Sequence, residues 1–247
     1  MSRIRLVLLS LMAVLSVGAL LASSASAAIN FEWKVGGKAL AAGEHRTFEV
    51  NNDGKVFVLK GSVGGALALL LSTKVKVKPG ALIFGGKPGT NEEIVEFESV
   101  TVDNPAGCVA ETGEVTSPVV GNVLTHPLKT EIVEGQSGGR GNGEPLILFT
   151  PKEGTTFTSI LFLNKGTEKC NVAGALAKVA GSILGLPLPQ KTEVVDGNLA
   201  FEAVTKEYLV AAGGAAKTVG LTFGGSAATL SGLTLVILTS GEAFGAF

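Results

Sequence analysis

The chain has 247 residues, 46% hydrophobic and 17% charged, with a formal net charge of −1. That apolar content excludes a disordered polyelectrolyte. The near-neutral balance gives no electrostatic reason to bind nucleic acid or an anionic membrane surface. The 34 glycines disfavour long helices and suit short strands separated by turns.

Arg3 and Arg5 open the chain as a short basic segment, and an apolar run follows from Leu6 to Ala22. Small residues then fill Ser23 to Ala28. This order predicts a secretory signal peptide over 1–27, with cleavage before Ala28 or, alternatively, before Ile29. A retained anchor is the competing reading, but the run is near the lower length limit for a bilayer span. Residues 28–247 are then expected to form a single β-rich domain, divisible near 105 and 190. Loss of Arg3 and Arg5 leaves 18 basic against 21 acidic residues, a net charge of −3. The expected location is secreted or cell-surface, with no membrane attachment after cleavage.

In the first block, residues 31–35 alternate apolar and charged, as a half-buried strand does, and Gly36-Gly37 makes a turn. Strands are expected at 46–50 and 55–60, joined by a hairpin turn at Asn51-Asn52-Asp53-Gly54. A long strand is expected over 67–78, ending at Pro79-Gly80, then a loop over 85–91 and a strand over 94–102. In the second block the expected strands are 114–125, 130–134, 146–150 and 156–164, with a flexible glycine-rich loop over 135–143. Residues 172–184 carry helical spacing at Val172, Leu176, Val179 and Ile183, but glycines interrupt it. Strand is the preferred reading and helix the alternative, with Pro187 and Pro189 ending the element. The third block offers strands at 192–195, 199–205, 218–223, 228–230 and 234–238. The expected fold class is all-β: an antiparallel sandwich or barrel of short glycine-punctuated strands, with at most one short helix.

Cys108 and Cys170 are the two cysteines. In an exported chain such a pair predicts one disulfide, each cysteine being expected at the start of a strand beside a chain reversal. Two cysteines and two distant histidines are too few for a metal site, and no cofactor is expected.

Gly135-Gln136-Ser137-Gly138-Gly139 matches G-x-S-x-G, and His45, Asp103 and Ser137 follow the order of a chymotrypsin-type triad. The nucleophile elbow requires a helix after the serine, and the glycines after Ser137 do not supply one. A solvated hairpin loop is the better reading, and His126 before Pro127 reads as a turn residue. Glu92-Glu93 and Glu96 with Glu98 are paired carboxylates. The second pair reads as a solvated strand face. Lys74, Lys76 and Lys78 share one face and are the candidate contacts to an anionic cell-wall or extracellular polymer, against the alternative of an edge strand protected from aggregation.

Several short motifs carry a resemblance. They are Trp33-Lys-Val-Gly-Gly-Lys-Ala-Leu-Ala-Ala-Gly, Ser72-Thr-Lys-Val-Lys-Val-Lys-Pro-Gly, Gly85-Gly-Lys-Pro-Gly, Phe97-Glu-Ser-Val-Thr-Val, Gly107-Cys108, Cys170-Asn-Val and Gly181-Ser-Ile-Leu-Gly. Together they make the chain resemble a set of secreted, uncharacterised β-rich proteins of high-GC Gram-positive soil bacteria. The resemblance implies export and a β fold, and no activity. Members of that set often carry cysteine where this chain has Ser72 and Ser99, which implies that these two serines are neighbours.

The expected function is that of an exported non-enzymatic structural or binding protein. A secreted hydrolase with a Ser/His/carboxylate site and an outer-membrane β-barrel are the alternatives. One Trp and one Tyr are too few for the aromatic girdles of such a barrel.

Overall fold

Two-residue Gly-Gly turns set the register of the hairpins. Gly64 and Gly65 have φ of 59° and 81°, and Gly224 and Gly225 have 58° and 83°. Paired positive φ values match the twist of the flanking strands. Phe57–Val63 accordingly folds back on Ala66–Ser72, and Gly220–Phe223 on Ser226–Ser231. The structure, a computed structural model, describes residues 30–51, 55–137, 140–201, 207–209 and 215–247. The signal peptide expected over 1–27, most of the turn at 51–54, the tip of the loop at 135–143 and the end of the strand expected over 199–205 lie outside the described residues.

Among the described residues every regular element is a strand. The segment with mixed spacing is the strand Leu176–Leu188, so its glycines prevail over its helical period. Antiparallel pairing closes one circuit and links most of a second. The first runs His45–Asn51, Leu82–Phe84, Thr90–Glu93, Leu128–Ser137, Arg140–Pro151, Leu176–Leu188, Asp196–Ala200 and Leu233–Leu238, and returns to His45–Asn51. The second runs Cys108–Thr112, Thr156–Asn164, Leu176–Leu188, Gly220–Phe223, Ser226–Ser231, Phe57–Val63, Ala66–Ser72 and Thr101–Asn104, which neighbours Cys108–Thr112. The fold is therefore barrel-like, and closure leaves the first circuit without a free edge. Strands from all three sequence blocks mix in both circuits.

Leu176–Leu188 belongs to both. Its first half pairs with Thr156–Asn164 and Gly220–Phe223, and its second half with Arg140–Pro151 and Asp196–Ala200. Gly181 sits at the changeover with φ 121°, and a Cβ there would lie 2.0 Å from the Gly220 carbonyl oxygen. Both the backbone and the space exclude a side chain. Gly181→Ala should cost about 3 kcal/mol, read as a lowered denaturation midpoint. An unchanged midpoint would contradict the shared-strand geometry.

The second circuit is filled by its own side chains. Ala68, Ala110, Phe162 and Phe223 are fully buried, with the two rings 6.2 Å apart. Trp33–Val35, Lys38–Ala39 and Phe244–Ala246 form a small sheet against the first circuit, where Trp33 Nε1 donates to the Thr90 carbonyl at 3.2 Å.

A third sheet of Lys74–Val77, Val95–Glu98 and Val123–Leu124 arises because two expected long strands break. The chain bends at Thr73, so 67–78 is two strands rather than one. The strand expected over 94–102 is interrupted at Ser99, whose φ is 53°. Ser72 is buried, its hydroxyl donating to the Lys74 and Glu98 carbonyls at 2.7 and 2.8 Å. It thus lies beside the Ser99 peptide, although Ser99 itself is exposed and not on a buried face.

Cys108 and Cys170 are bonded, with Cα atoms 4.7 Å apart. Cys108 opens a strand as expected, but Cys170 lies in the turn between Thr156–Asn164 and Leu176–Leu188. Asn164 holds that turn, its Oδ1 accepting from Cys170 N at 2.9 Å.

Candidate functional site

The first circuit is incompletely filled. A cavity of ≈ 170 Å³ lies within the barrel, walled mostly by apolar side chains that include Trp33, Phe48, Phe57, Phe149, Phe157 and Phe201. Leu59, Leu70, Ile160 and Leu221 of the second circuit contribute to the wall from the filled side. Exposed Leu188, Pro189 and Thr192 also belong to the lining and mark where it reaches the surface.

Asn91 and Glu93 interrupt the apolar wall. They lie on Thr90–Glu93, a strand whose alternation is reversed: its polar residues face in as well as out. Thr90 and Glu92 take the outer face, where Glu92 pairs with Lys152 at 2.8 Å. Asn91 and Glu93 are 6% and 8% exposed. The register sets Asn91 between Ile83 and Thr130, and Glu93 opposite Leu128, all of them buried.

Asn91 Oδ1, Glu93 Oε1 and Thr130 Oγ1 have no hydrogen-bond partner among the described residues. Each such buried atom costs about 1–3 kcal/mol. Burial pushes the Glu93 carboxyl up to about 8, so the group is protonated at neutral pH. No described Lys, Arg or His lines the cavity.

The residues singled out from sequence lie elsewhere. Lys74, Lys76 and Lys78 are on the outer face of the third sheet, opposite the face on which Val75, Val77, Val95 and Phe97 line the cavity. Lys78 Nζ meets Glu96 at 2.5 Å, and Lys76 meets Glu96 at 3.4 Å and also Glu98. The hydrogen bond to Glu98 is the main reason that Lys76 titrates above the ordinary lysine range. Glu96 is buried rather than solvated, contrary to the strand-face reading. Burial would raise its carboxyl, but the Lys78 hydrogen bond and the charges of Lys78 and Lys76 outweigh this and hold it below the ordinary range.

His45 is exposed near the Phe84 ring, on a strand paired with Leu82–Phe84 and Leu233–Leu238. Asp103 lies on Thr101–Asn104, which pairs with Ala66–Ser72. The backbone of Ser137 ends a strand paired with Arg140–Pro151, so the expected loop at 135–143 is largely a continuation of the hairpin. The three strands do not pair with one another. His126 donates its backbone N–H to Phe157 O at 2.6 Å in a connecting segment. No cluster of His, Cys, Asp and Glu suited to a metal occurs among the described residues.

Sequence reasoning places Asn91 in a loop and reads Glu93 only as half of a carboxylate pair. The available signal was position: Thr-Asn-Glu-Glu falls between apolar segments, where a buried strand would place apolar residues. No family model, curated protein or solved structure matches the chain.

Proposed function

We propose that this chain is an exported, non-enzymatic binding protein that takes a small, mainly apolar ligand into the barrel. The observation that carries this reading is the pair Asn91 and Glu93, buried without partners for Oδ1 and Oε1 in an otherwise apolar cavity. A barrel under selection for stability alone would place apolar side chains there. Buried polar groups that lack partners within the protein are instead suited to a partner that arrives from outside. The disulfide and the signal-like segment support an extracytoplasmic site of action. Trp33 and Tyr208 are both buried, so neither serves an outward aromatic girdle. The ion pairs of Lys76 and Lys78 occupy two cations of the stripe considered for polymer binding.

Toluene tests the cavity directly. Binding to the folded state raises the denaturation midpoint in proportion to ln(1 + [L]/Kd). The midpoint should rise with toluene concentration along that single-site logarithm. No rise up to the solubility limit overturns the reading. Export has its own check: the intact mass of protein recovered outside the cell should begin at Ala28 or Ile29. A mass retaining Met1 to Ala22 contradicts signal cleavage.

A further inference from the structure

We propose that the ligand of this cavity ends in a primary amine, which Asn91 Oδ1 and Glu93 Oε1 receive, and that the site rejects a carboxylate. This rests on the reading of the cavity as a ligand site. The first ground is the supply of hydrogen-bonding groups. Several donors of the lining are spent on backbone carbonyls: Trp33 Nε1 on Thr90 O, Ser72 Oγ on Lys74 O and Glu98 O, Thr158 Oγ1 on Leu124 O at 2.6 Å, and Thr234 Oγ1 on Asn51 O at 3.0 Å. Thr125 Oγ1 accepts from Val95 N at 2.9 Å. Unspent acceptors remain at Asn91 and Glu93. A ligand head that donates meets both of them.

The second ground is the number of donors. Asn91 and Glu93 stand two residues apart on one face of a strand, about 7 Å between Cα atoms. A hydroxyl brings one hydrogen and leaves one acceptor unmet. An ammonium brings three donors.

The third ground is charge. Among the described lining residues Glu93 is the one titratable side chain. The charged groups of the strands packed around it take the outer face: Glu92 with Lys152, exposed Lys129, and Glu131 beyond it. A ligand carboxylate or phosphate would enter without a counter-charge. A ligand ammonium would favour the ionised Glu93 and be neutralised by it.

The volume of ≈ 170 Å³ suits a molecule built on a single ring. Toluene, benzyl alcohol, benzylamine and benzoate therefore form a matched series, to be titrated at pH 7 against the full disulfide-bonded chain. Benzylamine should bind about 10- to 100-fold tighter than toluene, the span of charge-assisted hydrogen bonds, with benzyl alcohol between them and benzoate weakest. Glu93→Gln should remove the advantage of benzylamine over toluene. The wild-type series stands even without the variant. Benzylamine binding no tighter than toluene or benzyl alcohol overturns the amine while leaving the cavity reading intact, as does an advantage that survives in Glu93→Gln. Failure of all four probes to bind overturns both.

Discussion

Glu93→Gln should abolish a fall in stability that the wild-type protein shows between about pH 4.5 and pH 8. The carboxyl has an ordinary value of 4.5 and burial raises it to about 8 in the folded chain. Between those values the folded state holds a proton that the unfolded state has released, so stability decreases as pH rises. The contribution is fully present below pH 4.5 and gone once the pH has passed about 8. At 1.36 kcal/mol per unit the loss is roughly 5 kcal/mol. Denaturant titrations at intervals across this range, compared between wild type and variant, isolate the Glu93 contribution from groups that titrate identically in both. Parallel curves would show that Glu93 is not buried without a partner. Glu93→Leu should go further and stabilise the protein at pH 8, because it removes a charge that the fold does not compensate. Such a gain would match a Glu93 that serves the proposed ligand site rather than the fold.

Reduction of the Cys108–Cys170 bond should lower stability by roughly 4 kcal/mol. The bond closes a loop with a sequence separation of 62, and that figure follows from the entropy it removes from the unfolded chain. In the folded state its ends are adjacent in any case, since Cys108 pairs in register with Asn164 and the Cys170 turn hangs on the Asn164 side chain. Breaking the bond therefore acts on the unfolded ensemble more than on native contacts. Denaturant midpoints with and without reductant, or with both cysteines changed to serine, provide the measurement. A change below about 1 kcal/mol would mean that the unfolded chain is already restrained between these positions.

The β class was legible because its signals are local. Gly-Gly pairs mark hairpin turns, and the strand expected at 156–164 is found as Thr156–Asn164. Closure was not legible, because it joins distant segments such as His45–Asn51 and Leu233–Leu238. A strand is expected over 114–125. Val115, Val119 and Val120 are instead exposed in a turn-rich segment, and only Val123–Leu124 pairs. Two long strands broke at Thr73 and Ser99, where the chain leaves the main sheet. The site is hidden in the sequence for a physical reason. Alternation identifies a strand by its apolar inward face, and Thr90–Glu93 turns Asn91 and Glu93 inward. The feature that hides the strand is the one that makes the cavity a candidate site.

Methyl-labelled protein titrated with toluene and followed by NMR tests the central claim most directly. The signals of Ile83, Leu128, Ile147 and Ile183, which line the cavity, should shift together along one saturable curve. Exposed Val119, Val120 and Leu67 should stay in place. Shifts confined to those exposed residues, or no saturable shift at the cavity wall, would contradict a ligand site inside the barrel.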